Sequence, residues 1–260
     1  MAEGYIKSKN LPEVYVSSAG FCADNMPVTE NAAAVMKNAG INIENHKSTL
    51  IHKDMLISAD LIICMAKEHK DVIESAFGEQ KSIAVLNIED PIGGDILTYT
   101  SCRNGIFAAV DALLADFSVT DFSVEDASAV AAVESECFSQ PWSKAAVLDA
   151  AKHGHKFFTA KSHGIFLGYV GVKFIGGEGY IDNLAVTAAA RGKGVGTALL
   201  TALNKYATNA GADFLTLEVR ASNKNAISLY SAFGFKTEGT RKGFYTNPAE
   251  DALILTKRYV

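Results

Sequence analysis

The segment Arg191-Gly192-Lys193-Gly194-Val195-Gly196 places three glycines at alternate positions just ahead of an amphipathic stretch. That arrangement suits an anion. Bare N–H groups point out of a helix N-terminus, and glycines leave no side chain to block the approach. One helix dipole contributes only about 0.3–1 kcal/mol to a bound anion, so tight phosphate binding needs several amides at once, which the glycines permit. The following helix is marked by Val195, Ala198, Leu199, Ala202, Leu203 and Tyr206 on one face. Further on stand Leu217-Glu218-Val219-Arg220, then Ser222-Asn223 and Leu229-Tyr230. Other reactive residue types give weaker signals. Cys22, Cys64, Cys102 and Cys137 lack CxxC spacing and are read as reduced thiols, with Cys22 and Cys137 as packing residues. His153-x-His155 has no third or fourth ligand nearby, so surface histidines are expected there and no metal.

The elements that must carry these residues belong to a chain of 260 residues, long enough for two domains. A net charge of −5 argues against nonspecific nucleic-acid binding. No apolar run reaches the roughly 18–20 residues of a membrane span, and the first ten residues, MAEGYIKSKN, lack the apolar core of a signal peptide. A cytoplasmic protein is expected, with no membrane partner. In the first half the pattern predicts a strand at Val14–Val16 and a helix at Thr29–Gly40. Leu61–Met65 reads as a strand buried on both faces, and Glu68–Phe77 as a helix. A second buried strand at Ile83–Leu86 and a helix at Ser101–Ala115 complete this half. Alternation of this kind means a parallel α/β domain.

The second half opens with a strand at Phe117–Phe122 and a helix at Ser123–Glu136. Pro141-Trp142 then breaks the chain, and Ser143 can cap the next helix. Trp142 reads as a loop anchor or a wall of a substrate groove. Strands follow at 156–161, 165–173 and 179–186, then the glycine turn and its helix, and a final hairpin at 235–245 and 252–257.

Met1-Ala2-Glu3-Gly4, Ser18-Ala19-Gly20, His46-Lys47-Ser48, Ala59-Asp60-Leu61 and Asp90-Pro91-Ile92-Gly93-Gly94 occur in an order that resembles the low-molecular-weight protein tyrosine phosphatases and their arsenate-reductase relatives. The resemblance implies that residues 1–117 form a phosphatase-like parallel-sheet domain, with Asp90 as the general acid. In that family the MAEG segment follows a loop of Cys, five residues and Arg, which supplies the thiolate and cradles the phosphate. None of the four cysteines here has Arg six positions on; Val28, Lys70, Ala108 and Ser143 stand there. The expectation is an incomplete domain, lacking its first strand and phosphate loop, with unpaired sheet edges. No phosphatase activity is expected of this chain unless an upstream extension restores the nucleophile.

The second half carries Pro141-Trp142-Ser143, RGKGVG, LEVRASNKNAISLY, Gly234-Phe235 and Phe244-Tyr245-x-x-Pro248-x-Glu250-Asp251-Ala252. Together these resemble the GNAT superfamily of acetyl-CoA-dependent N-acetyltransferases, and within it the RimI type, which acetylates the N-terminal alanine of a small-subunit ribosomal protein. The resemblance spans residues 118–260 and implies a GNAT domain with acetyl-CoA as co-substrate. It implies that Leu184, Ala185 and Val186 lend backbone groups to the acetyl and pantetheine portion. Arg191, Gly192, Lys193, Gly194, Val195, Gly196 and Thr197 would hold the pyrophosphate, and Asn223 would contact the pantetheine arm. Glu218 corresponds to the proton acceptor and Tyr230 to the proton donor. The implied partner is a protein N-terminus, with a ribosomal protein as the first candidate. A broader-specificity peptide or small-amine acetyltransferase is the alternative.

Amine chemistry is consistent with an N-terminal acceptor. An α-amino group has a pKa near 7.7–8.0 and lysine near 10.4, so freeing the first at neutral pH costs less than about 1 kcal/mol and the second roughly 4. A carboxylate such as Glu218 is an adequate base for the first and a poorer one for the second. Glu238, Glu250 and Asp251 are expected to attract a basic N-terminal segment.

Overall fold

The computed structural model describes residues 1–22, 25–78 and 82–259. They fall into two units, Met1–Asp116 with Ser162–Ile165, and Phe117–Lys161 with Phe166–Val260. Among the described residues no helix is long and apolar enough to cross a membrane.

In the first unit α1 (Ala2–Ser8) buries Tyr5 and Ile6, and the Tyr5 ring stacks on Phe107 at 3.6 Å. Thr29 caps α2 (Glu30–Lys37) as expected, its hydroxyl accepting from the Ala32 N–H at 3.3 Å. Helix α3 (Lys53–Ser58) leads to β1 (Ile62–Cys64), and α4 (Lys67–Phe77) leads to β2 (Ile83–Val85). The two strands pair in parallel, Ile62 opposite Ile83 and Cys64 opposite Val85, as the alternating pattern predicts. Helix α5 (Ile96–Ala115) closes the unit and buries Tyr99, Ile106, Val110 and Leu114 at helical spacing.

Five local expectations change. Cys22, expected to pack, is exposed, and none of the three residues of β2 is fully buried, although that run was expected to be a buried strand. Val14–Val16 is not a strand, and Tyr15 is 95% exposed. An apolar extended segment becomes a strand only by pairing, and among the described residues the pairing nearby is limited to the isolated bridges Gly20–Leu50 and Pro27–Lys47. The run around β1 is not buried on both faces either, since Cys64 alone of its three residues is buried. Leu56, Cys64 and Ile73 form a small core there. Finally, α5 begins at Ile96 instead of Ser101, because Asp95 Oδ1 accepts from the Thr98 N–H at 2.8 Å and caps the helix.

The second unit starts with β3 (Ser118–Asp121). A 3-10 turn at Val124–Asp126 then leads into α6 (Ala127–Cys137), with Ser123 and Asp126 capping each other reciprocally. After the Pro141-Trp142 break, Ser143 caps α7 (Lys144–Lys152), accepting from the Ala146 N–H at 3.2 Å. Strands β4 (His155–Ser162), β5 (Ile165–Ile175) and β6 (Glu178–Val186) precede the glycine turn. Then come α8 (Val195–Asn209), β7 (Phe214–Arg220), α9 (Lys224–Ala232), β8 (Lys236–Thr246) and β9 (Ala249–Arg258). All seven strands form one sheet in the order β3-β4-β5-β6-β7-β9-β8. The β6–β7 pair is parallel, while β3–β4, β5–β6, β7–β9 and β8–β9 are antiparallel.

Each face of the sheet has its own cover. Phe158 and Phe174 meet Tyr206 of α8. Phe157, Tyr169 and Ala185 belong instead to a core with Val130 and Val133 of α6 and Val147 of α7. Successive strand residues point to opposite faces, so Phe157 and Phe158 serve different helix layers.

Candidate active site

The parallel pair at the centre of the second unit is short. Glu178, Gly179 and Tyr180 pair with Phe214, Leu215 and Thr216, and there the pairing ends. Both strands continue, β6 to Val186 and β7 to Arg220, so the sheet splits into two arms with unpaired backbone edges facing the gap. A bulge lies at the root of the β6 arm: on β5, Val172 faces Ile181 and Val170 faces Leu184. Gly171 therefore stands against both Asp182 and Asn183. A bulge of this kind bends its strand and re-aims the residues beyond it. Leu184, Ala185 and Val186 are those residues, held by β5 on one edge and open to the split on the other.

The glycine turn closes the end of the β6 arm. Gly192 has φ +75°, Gly194 has φ +85° and caps α8, and a Cβ on either would meet nothing within 4 Å. The backbone needs glycine there for its conformation, and the space above it is open. The first-turn amides of α8, from Val195, Gly196 and Thr197, have no intrahelical acceptors. At Gly196 a Cβ would come within 3.1 Å of Leu229 Cδ2, so its lack of a side chain lets α8 approach α9. The Arg191 side chain braces the turn from behind. Its Nε donates to the Val186 carbonyl at 3.1 Å, and its Nη2 reaches Glu136 Oε1 at 3.2 Å and Cys137 Sγ at 3.3 Å. Cys137 therefore has a cationic neighbour that its sequence context did not reveal, although burial still pushes its thiol up. Open glycine backbone at a helix N-terminus, next to an unpaired strand edge, fits the diphosphate and amide-bearing arm of acetyl-CoA.

Glu218 lies on the β7 arm, on the face opposite to buried Leu217 and Val219. Its Oε1 accepts from Arg241 Nη1 of β8 at 2.7 Å, and its side chain is 35% exposed. The Tyr245 hydroxyl donates to the Glu218 carbonyl at 3.3 Å. Tyr230 sits on α9, buried edge-on against Phe235 at 5.5 Å. Burial first, and Tyr245 second, push its phenol well up, so it stays protonated across the neutral range. Tight packing thus leaves the Tyr230 phenol in its protonated form. Asn223 Oδ1 caps α9 by accepting from the Ala226 N–H at 3.1 Å, which leaves its amide nitrogen for other contacts.

Other charged groups turn out to be engaged internally. Glu238 pairs with Arg258 at 3.1 Å, and Glu250 pairs with Arg220 at 3.1 Å and accepts from the Ser222 N–H. Asp251 accepts from the Gly243 N–H at 2.8 Å. No group of His, Cys, Asp or Glu among the described residues could hold a metal. His153 is exposed, but His155 is not a surface residue: its Nδ1 meets Asp182 Oδ2 at 2.7 Å, with both side chains largely buried.

Sequence reasoning missed Glu134, whose side chain is fully buried at the end of α6. It accepts from the Tyr169 hydroxyl, from Asn183 Nδ2 at 2.9 Å and from the Trp142 N–H at 2.8 Å. Burial pushes its carboxyl up. Its only sequence signal is an acidic residue inside an otherwise apolar helical face, four positions after Val130 and adjacent to Val133.

Both halves of the chain are similar to known proteins. The acetyltransferase (GNAT) family pattern matches residues 127–235, and that of the low molecular weight phosphotyrosine protein phosphatases matches residues 1–121. The [ribosomal protein bS18]-alanine N-acetyltransferase of Escherichia coli is 30% identical over 142 residues, 53% of this chain and 95% of that protein. The protein-arginine-phosphatase of Geobacillus stearothermophilus is 32% identical over 124 residues, 44% of this chain and 83% of that protein. A crystal structure of the Escherichia coli ribosomal-protein-S18-alanine N-acetyltransferase aligns with a TM-score of 0.52 at 28% identity, covering 55% of this chain and 93% of that one. This chain belongs, through its C-terminal half, to the GNAT family of acetyl-CoA-dependent N-acetyltransferases, joined to an N-terminal half of the low-molecular-weight phosphatase family.

Proposed function

We propose that this N-acetyltransferase acts on a protein N-terminal α-amine, with the N-terminal alanine of a small-subunit ribosomal protein as the first candidate. The observation that carries this reading is that the split sheet puts Glu218 on one arm and Leu184–Val186 on the other. Acetyl-CoA supplies the acetyl thioester when bound. The backbone of Leu184, Ala185 and Val186 orients that group, and Gly192 to Thr197, including Lys193, hold the diphosphate. Asn223 contacts the pantetheine arm. Glu218 receives the proton from the incoming ammonium, directly or through water, using the oxygen that Arg241 does not engage. Tyr230 holds its proton until it is given to the departing sulfur. A carboxylate base matches an α-amine better than a lysine near neutral pH.

A second reading, relaxed specificity toward other peptides or small amines, has one observation in its favour. Glu238, Glu250 and Asp251 are each bonded within the chain, so they do not form a free acidic strip for a basic N-terminal segment. Phosphoryl transfer lies outside this proposal. Asp90 holds its own turn by accepting from the Ile92 N–H at 3.0 Å, and no cysteine of the chain is followed six positions on by arginine.

The deciding assay is acetyl-CoA turnover with an alanine-starting peptide and with the same peptide blocked at its N-terminus but carrying a lysine. The α-amine substrate is expected to turn over at least tenfold faster, given the roughly 3 kcal/mol difference in the cost of freeing the two amines. Equal turnover overturns the N-terminal assignment.

A further inference from the structure

The bulge at the root of the β6 arm projects two consecutive residues where simple alternation allows one, and each is tied down. Asn183 donates to Glu134 of α6 at 2.9 Å, and Asp182 meets His155 of β4 at 2.7 Å. The second tie crosses β5 at Gly171, where a Cβ would lie 3.4 Å from Asp182 Oδ2 and collide with Phe157. Glu134 has a further contact. Its second oxygen accepts the Trp142 N–H, in the loop between α6 and α7. One buried carboxylate thus joins the bulge that aims Leu184–Val186 to the α6–α7 loop that contains Pro141-Trp142.

The register matters because strand periodicity is two residues, and a slip by one exchanges the faces. Ala185 packs in the core with α6 and α7. Leu184 lies on the other side, its Cδ2 3.9 Å from where a Cβ of Gly196 would stand. If the bulge relaxed by one residue, Leu184 would be driven toward the α6 core and Ala185 toward the glycine turn. The backbone groups facing the split would change with them. A fully buried carboxylate with three donors is weak evidence for added stability, since burying charge is costly. Its contribution fits better with geometry.

We propose that Glu134 is a positioning residue for acetyl-CoA, setting the β6 register through Asn183 and the α6–α7 loop through the Trp142 N–H. This rests on the reading that the split between β6 and β7 receives the cofactor. Glu134 touches neither substrate; it acts through the strand and the loop.

Trp142 is the sole tryptophan of the chain, so its fluorescence reports on the loop in the substrate-free protein. Asn183→Ala cuts the link to the bulge and is expected to weaken CoA binding about fivefold to tenfold by calorimetry, the loss associated with one unsatisfied buried partner. Glu134→Gln lacks one acceptor and is expected to weaken CoA similarly and also to red-shift the Trp142 emission without any ligand. Tyr169→Phe removes a donor but keeps both links, so CoA affinity should stay within about twofold. If Asn183→Ala and Glu134→Gln lower only the melting temperature, with CoA affinity and emission unchanged, the cluster is structural and the proposal is wrong. Should Glu134→Gln fail to fold, the Asn183→Ala calorimetry decides alone. A wild-type protein that binds CoA but ignores every free N-terminus would refute the acceptor assignment and leave these two readouts intact.

Discussion

Each unit of this chain carries a carboxylate that its sequence motifs single out, Asp90 in the first and Glu218 in the second, and the two are held very differently. Asp90 accepts from an amide two residues on, so the contact is local and the loop around it is exposed. Glu218 sits in a strand paired with β9 from Phe214 to Arg220, and its oxygen is held by Arg241 from the strand beyond. Among the described residues the first unit has two strands of three residues each, while the second has seven strands in one sheet. A sheet of that size can leave two central strands unpaired over part of their length and still remain ordered, because each arm keeps its outer partner. A two-stranded sheet has no such reserve. A preorganised gap lined by backbone groups therefore belongs to the second unit.

The sharpest way to break this comparison is to neutralise each carboxylate in turn. Glu218→Gln should lower acetyl transfer by about 10²–10⁴-fold, the usual contribution of a positioned acid or base, while Asp90→Asn should leave it unchanged. Similar losses in steady-state kcat/KM for both variants would mean that the first unit takes part in the acetyl reaction.

Core truncations test whether the two halves are separately stabilised. Leu203 is fully buried under the large sheet and Ile106 is buried in the first unit. Leucine or isoleucine to alanine in a core costs about 2–5 kcal/mol. In scanning calorimetry Leu203→Ala should lower the transition that is protected by CoA, and Ile106→Ala should lower a transition that CoA does not move. A single transition shifted by both variants would show that the units unfold as one.

The smallest expected effect concerns turn geometry. Gly194 and Gly93 have nearly equal backbone angles, φ +85° and +78°, with open space at each. Alanine in that region costs roughly 1–2 kcal/mol. Gly194→Ala should weaken CoA binding about tenfold, since 1.4 kcal/mol is about one decade, and Gly93→Ala should not. Equal CoA affinity for Gly194→Ala and wild type would remove the turn from the cofactor site.

Much of this was legible in the residues because the signals are local. Thr29 and Ser143 announce the helices that they cap, and the glycine turn runs directly into its helix in sequence. The Asp95 cap is equally local, yet the apolar pattern alone places the start of α5 five residues too late. Burial was harder to read. The run Leu61–Met65 is apolar enough for a strand covered on both sides, but the cover depends on what packs there, and of the three strand residues only Cys64 is buried. Val14–Val16 failed for a related reason, because a strand is defined by its neighbour.

Taken by itself, the sequence determined which residue types could do chemistry and the helical or extended character of most segments carrying them. It also determined the two families, through motifs in order. Tertiary structure alone decided where the sheet splits, that Arg241 holds Glu218, that His155 is buried against Asp182, and that Glu134 joins a bulge to a loop. Those contacts link residues 23, 27 and 49 positions apart in the chain. No local spacing rule reaches that far, because such pairs meet only after the strands between them have found their register.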